Sequence, residues 1–147
     1  MKRVILAPDS FKGTMSAAQV CQILEGEIKR LAPDVELISI PMSDGGEGMA
    51  QSYVSLLGGS LHSQTVSGPA GKPVEAQYGL LPDGRVVMEM AACAGLPLME
   101  GRLDPLNAST YGLGELIGHV ANSGCKRLLM GLGGSASNDC GLSLIHI

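Results

Sequence analysis

The chain reads as an α/β protein that opens as a parallel sheet with helical crossovers and then changes style. Three observations predict this. Apolar, strand-like runs at residues 4–7 and 35–40 alternate with two segments of helical periodicity. From about residue 65 the pattern switches to the period-two alternation and Gly/Pro turns of a hairpin, which suggests a second domain inserted into the first. Polar, glycine-bearing loops follow directly after strands at residues 9–13, 43–48 and 131–139, where open α/β sheets bind their ligands.

The elements follow in order. Residues 4–7 form a short continuous apolar run, the pattern of a strand buried on both faces. Ser16 with Gln19 three positions on is a capping-box signature. Val20, Ile23, Leu24, Ile28 and Leu31 then recur at helical spacing, with Pro33 just past the end. Residues 35–40 are the next strand. A second helix carries Met49, Tyr53, Leu56 and Leu57 and stops at Gly58-Gly59. Residues 61–66 form a strand, Gly68-Pro69-Ala70-Gly71 a turn, and Val74, Ala76, Tyr78 and Leu80 alternate as in a half-buried strand. Pro82-Asp83-Gly84 turns the chain into residues 85–90. A short helix is expected over residues 91–96, and Leu113, Leu116, Ile117 and Val120 mark an amphipathic helix opened near Ser109-Thr110-Tyr111-Gly112. Residues 127–130 form the last strand.

Composition narrows the function. With 147 residues, 45% apolar and 16% charged, the chain can bury a core; one Phe, three Tyr and no Trp leave that core to aliphatic side chains. A net charge of −4 and a pI near 5.2 argue against nucleic acid or an anionic membrane surface as partner. Pro8 and Asp9 cut the N-terminal apolar run too short for a signal-peptide core or a membrane span, so a cytoplasmic protein is expected. Cys21, Cys93, Cys125 and Cys140 show no metal-ligand spacing with the histidines, and reduced, mostly buried thiols are expected. Oligomeric state has no sequence signal.

The three loops carry the chemistry. Asp9-Ser10-Phe11-Lys12-Gly13 offers a carboxylate, a hydroxyl and an ammonium, and Lys12 can pair with a phosphate or a substrate carboxylate; the plain alternative is a solvated turn. In Ser43-Asp44-Gly45-Gly46-Glu47-Gly48 the glycines can present N–H groups at a helix N-terminus that favours an anion. Asp44 and Glu47 can hold Mg²⁺, take a proton from an attacking hydroxyl or bond substrate hydroxyls, or else simply cap the helix. Residues 131–139 suggest a phosphate cradle. Gly131-x-Gly133-x-x-Ala136 fits the loose dinucleotide pattern, and Asp139 is a metal ligand or a loop end. No G-x-x-x-x-G-K-[ST] motif occurs. Helix capping explains Ser109 and Thr110 more simply than ligand contact, His62 and His119 read as surface residues, and Glu89 inside an apolar strand is either edge-exposed or functional.

Taken together, Ala7-Pro8-Asp9-Ser10-Phe11-Lys12-Gly13, Pro41-Met42-Ser43-Asp44-Gly45-Gly46-Glu47-Gly48, Gly68-Pro69 with Pro73-Val74, Ser109-Thr110-Tyr111-Gly112 with Gly114-Glu115-Leu116-Ile117, and residues 131–139 resemble the bacterial glycerate kinase family in order and spacing. The resemblance covers residues 1 to about 141. It implies a flavodoxin-like α/β domain with a second α/β domain inserted, ATP and Mg²⁺ as co-substrate and cofactor, and D-glycerate as acceptor, phosphorylated at its 2-hydroxyl. Residue chemistry joined to that resemblance gives Lys12 charge stabilisation, and Asp44 a role in orienting or deprotonating the acceptor or holding Mg²⁺. Asp9, Ser10, Gly45, Gly46, Glu47, Thr110, Gly133, Gly134, Ser135 and Asn138 become substrate or phosphate contacts, and Asp139 a metal ligand.

The expected organisation is 1–64 for the first part of the flavodoxin-like domain, 65–141 for the start of the insertion including the glycine-rich loop, and 142–147 for a non-native tail. Family members are expected to continue well beyond this loop, and Cys140 stands where the family pattern has glycine. Leu142-Ser143-Leu144-Ile145-His146-Ile147 is the translation of CTG TCT CTT ATA CAC ATC, the end of a transposon-based sequencing adapter. On that reading the chain is an N-terminal part of a kinase, inactive by itself, with the apolar faces of helices 20–31 and 113–120 left uncovered. Competing readings are a non-catalytic nucleotide- or phosphate-binding α/β module, a Rossmann-type oxidoreductase resting on the Gly131 pattern alone, and a kinase for a related hydroxy acid.

Overall fold

The structure is a computed structural model and describes residues 2–146. The chain forms two compact units, dividing after Asp44.

The first unit is a βαβ. Strand β1 (Arg3–Leu6) pairs in parallel with β2 (Glu36–Ser39) in the register Arg3↔Glu36 to Leu6↔Ser39, and helix α1 (Ala17–Leu31) makes the crossover. The capping box forms as expected: the Gln19 N–H donates to Ser16 Oγ at 3.2 Å and the Ser16 N–H to Gln19 Oε1 at 2.8 Å. At the other end Lys29 donates to the carbonyl of Val35, a cation satisfying the chain that leaves the helix. Ala17, Val20 and Cys21 are buried, but Ile23 is 55% and Leu31 73% exposed. Burial of β1 on both faces does not hold. Leu6 is buried while Ile5 is 60% exposed, because β1 has one helix packed on one side of a two-stranded sheet.

The second unit is built on a four-stranded mixed sheet of order β3-β4-β5-β6: β3 (Ser60–Ser67), β4 (Pro73–Leu80), β5 (Arg85–Glu89) and β6 (Arg127–Gly131). The first three run antiparallel, and β6 lies parallel to β5 after a crossover through α3 (Ala91–Ala94) and α4 (Tyr111–Asn122). Residues 60–64 pair with β4 along with the rest of β3, so position 65 lies inside a strand. Alternation decides the packing. Val86 and Met88 face α4, joining Leu113, Leu116 and Val120 in one core, while Val87 faces helix α2 (Met49–Leu57) with Met49, Ala50 and Leu81. β5 is covered on both faces, and its Val86-Val87-Met88 centre is apolar on both sides.

The expectation that the 113–120 helix face stays uncovered is therefore corrected. Leu113 and Leu116 are fully buried and Val120 nearly so, each burial contributing about 1.5–3 kcal/mol. The sheet that covers them lies within the chain itself. The thiol expectation holds in part: Cys21 and Cys93 are buried, Cys125 is half-buried and Cys140 exposed, and all four are free. In the segment read as a tail, Leu144–His146 forms a 3-10 turn and Leu144 packs against the α4 core; Ile147 lies outside the described residues. No described helix is long and apolar enough to cross a membrane.

Candidate functional site

In the first unit, the parallel pairing continues past the strands. The Ile40 N–H donates to Leu6 O at 2.7 Å and the Met42 N–H to Pro8 O at 2.9 Å. This zips together the starts of the two loops that leave the carboxyl ends of β1 and β2. Lys12 on one loop can therefore reach Asp44 on the other, and Nζ donates to Oδ2 at 2.9 Å. Both side chains are open to solvent, at 74% and 48% exposure. The hydrogen bond to Asp44 and the charge of Asp44, with a smaller push from Asp9, hold Lys12 above its ordinary value, so it is an ammonium at neutral pH. Asp9 is exposed and turns back on its own loop, its Oδ1 accepting from the Ser10 N–H at 2.6 Å.

In the second unit, the loop of residues 45–48 lies backbone against backbone on the loop that follows β6. The Gly133 N–H donates to Gly45 O at 2.9 Å. A Cβ at Gly131 would stand 2.2 Å from Gly45 O, and one at Gly133 would stand 2.8 Å from the Gly46 N. The glycines of the loose dinucleotide pattern thus serve close packing, and one N–H expected for phosphate is spent on a carbonyl. Gly46 is buried and Glu47 exposed.

The N-terminus of α2 is capped from outside. Its N-cap is Gly48, at φ 87° and with no side chain to offer, rather than Asp44. Glu89, at the end of β5, supplies the acceptor: Oε1 receives the Gly48 N–H at 2.9 Å and Oε2 the Ala50 N–H at 3.0 Å. The anion that this helix terminus favours is a side chain of the protein itself. Glu89 is buried at 8% exposure, which decides the alternative the sequence left open: it is not at an edge. The available signal was a single acid in the apolar run of residues 86–90.

Asp139, expected as a metal ligand or loop end, is committed to the start of α4. Its Oδ2 accepts from both the N–H and the hydroxyl of Thr110, each at 2.8 Å, and Oδ1 from the Gly141 N–H at 3.1 Å. Burial pushes this carboxyl up, but the bonds from Thr110, Ser143 and Gly141 together outweigh it and hold the group down at about 2. Thr110, 2% exposed, spends its hydroxyl on Asp139 rather than on capping, and Ser109 Oγ accepts from the Tyr111 N–H instead. Asn138 and Gly134 are exposed; Ser135 is half-buried, its hydroxyl in contact with Ser137. His62 and His119 are exposed as expected, flanking Tyr78 at ring-centroid distances of 5.5 and 6.1 Å. Among the described residues no group of three or more His, Cys, Asp or Glu is placed to hold a metal ion.

Comparison with known proteins adds identity to this geometry. The model of the glycerate kinase family matches residues 4–146. Glycerate kinase of Bacillus subtilis (strain 168) is 43% identical over 98% of this chain, and glycerate 2-kinase of Escherichia coli (strain K12) is 37% identical over 98%. The chain spans 38% of the length of each. A crystal structure assigned as glycerate kinase 2 from Salmonella typhimurium LT2 superposes with a TM-score of 0.79 at 36% identity, covering 99% of this chain and 40% of that one. The motifs, the mixed α/β architecture and the match along almost the whole sequence agree, and the chain belongs to the glycerate kinase family.

Proposed function

We propose that a full-length protein carrying this sequence transfers the γ-phosphoryl group of ATP to the 2-hydroxyl of D-glycerate. The observation that carries this reading is the exposed Lys12–Asp44 pair at the carboxyl ends of two parallel strands, in a chain of this family. The reaction forms a bond from the acceptor oxygen to phosphorus, breaks the one to the ADP oxygen, and releases the hydroxyl proton. It needs positioning and charge neutralisation more than covalent chemistry.

Lys12, an ammonium at neutral pH, supplies compensation for a phosphate or for the glycerate carboxylate. Asp44 orients the acceptor hydroxyl or receives its proton. Because the two groups neutralise each other, a substrate must bridge or part them before either can act. ATP is the donor on this reading, and Mg²⁺ bound with it would supply charge neutralisation at its phosphates. The residues do not fit a magnesium cage built by this chain alone: the Asp139 oxygens already receive N–H and O–H donors, and Asp44 is paired with Lys12. Mg²⁺ is commonly held by one or two carboxylates together with substrate phosphates, so the ion belongs with the nucleotide. The 147-residue chain by itself is expected to be inactive, consistent with the apolar side chains of Ile5, Ile23 and Leu31 that its first unit leaves exposed.

The test is glycerate-dependent ADP formation by the 147-residue chain and by the full-length protein side by side. Turnover in the full-length protein alone is expected, with Asp44→Asn lowering kcat about a hundredfold or more. ATP binding without glycerate-dependent turnover in the full-length protein would overturn the kinase reading. Near-normal kcat in Asp44→Asn would remove Asp44 from the mechanism.

A further inference from the structure

We infer that Glu89 is a positioning residue for the 45–48 loop, a buried carboxylate that fixes the backbone on which Gly45, Gly46 and Glu47 are presented. The inference rests on the kinase reading for its catalytic consequence, but not for its structural content.

Three observations converge. Glu89 is 8% exposed, and each of its two oxygens receives one backbone N–H, from Gly48 and from Ala50. The segment it holds cannot cap itself, because the N-cap is a glycine in the left-handed region and the first turn of α2 has no acidic residue. Finally, Glu89 sits opposite Gly131 in the β5–β6 register, and Gly131 is the residue whose missing Cβ lets Gly45 O approach. The side chain of Glu89 thus pins one end of the loop while Gly131 opposite it leaves room for the other, which is held by the Gly133 N–H to Gly45 O bond just past β6.

A charge buried in this way is stable only while both oxygens stay bonded, so the carboxylate and the loop conformation require each other. Replacing Glu89 with Gln turns one acceptor into a donor that faces a backbone N–H. Alanine would leave both N–H groups without an acceptor in a buried place. Both oxygens of Glu89 are spent on backbone N–H groups, so its action runs through the loop.

The experiment is amide hydrogen exchange, read residue by residue by NMR, on the wild type and on Glu89→Gln. Glu115→Gln is the control: Glu115 on α4 likewise accepts a backbone N–H, that of Ser67 at 2.6 Å, but at β3, the edge strand opposite β6. In the wild type the Gly48 and Ala50 amides are expected to be protected. In Glu89→Gln they exchange roughly tenfold faster or more, the cost of one lost bond to a charged group, while α4 and β6 keep their protection. Glu115→Gln leaves both amides unchanged. In the full-length protein Glu89→Gln lowers kcat by about tenfold with a smaller change in KM, and Glu89→Asp recovers part of it, as expected of misplaced groups.

Unprotected Gly48 and Ala50 amides in the wild type would overturn the inference even if the variant cannot be folded. So would unchanged exchange in Glu89→Gln, or an equal loss of protection throughout the unit, which would make Glu89 a general stability residue. If the full-length wild type shows no glycerate-dependent turnover, the kinase reading fails while the exchange result still decides the role of Glu89 in the loop.

Discussion

Gly131→Ala tests whether the two glycine loops are held together by contact between backbones. The φ of Gly131 is one an L residue can adopt, so the substitution carries no conformational penalty of its own. Crowding is the only mechanism left. The added methyl carbon would lie 2.2 Å from Gly45 O, 2.9 Å from Gly45 C and 2.6 Å from Met49 Sδ. The sulfur is the flexible end of a side chain and can move, but the Gly45 carbonyl is backbone and is bonded to the Gly133 N–H at 2.9 Å. Overpacking of a tight contact costs about 1–3 kcal/mol. Breaking the hydrogen bond as the loop withdraws adds about 1 kcal/mol. A total near 3 kcal/mol corresponds to a fall in Tm of about 12–24 °C for a domain of roughly 100 residues. Thermal and urea denaturation of the variant would measure it, the urea midpoint falling with an unchanged m-value. The control is Gly118→Ala in the interior of α4, where a Cβ meets no atom within 4 Å. That change should leave stability the same or raise it by up to about 1 kcal/mol through helix propensity. A Tm shift in Gly131→Ala of less than about 3 °C would refute the crowding argument.

Two further outcomes follow from the titrating groups. The Asp139 carboxyl is held down at about 2 against an ordinary 3.8, a depressed folded-state value, so its contribution is present above pH 4 and is lost as pH falls toward 2. Asp139→Asn should therefore cost about 1–2 kcal/mol in urea denaturation at pH 7, with the difference from wild type shrinking between pH 4 and 2; a pH-independent difference would mean that the carboxylate charge is not what matters. Burial pushes the Cys93 thiol up to about 12, with smaller pushes from Glu89 and Glu115, whereas Cys140 is exposed. Iodoacetamide at pH 8 should label Cys140 in minutes and leave Cys93 unmodified in the folded chain, read by mass spectrometry; equal labelling would mean that the sheet–α4 core opens readily.

Local patterns were enough to determine the elements, because they rest on interactions between near neighbours. The Ser16–Gln19 capping box, the stop at Gly58-Gly59 and the Pro82-Asp83-Gly84 hairpin all stand where their residue types require them. The order of five motifs was also enough to reveal the family. What sequence order could not supply was which element covers which. Helices α1 (Ala17–Leu31) and α4 (Tyr111–Asn122) carry similar apolar periodicity, yet one leaves Ile23 and Leu31 exposed and the other buries Leu113 and Leu116 completely. Only the presence of a four-stranded sheet beneath the second distinguishes them.

The polar residues show the same division more sharply. Lys12 and Asp44 were recognisable as candidates from residue type and from their places after strands, but their meeting depends on a parallel register set by residues outside both loops. Asp139, in a glycine-rich loop, and Glu89, inside an apolar strand, each stand in the sequence as a carboxylate of undecided role. The fold commits each to the N–H groups of a helix start, Thr110 for one and Gly48 with Ala50 for the other. A carboxylate's function is set by the donors that surround it, and the donors at the two helix starts come from segments 29 to 41 positions away along the chain. Residue types and their order carry the elements, the family and the chemical repertoire; packing decided which acids remain open to solvent and which hold the fold, because burial and hydrogen-bond partnership are properties of the folded chain.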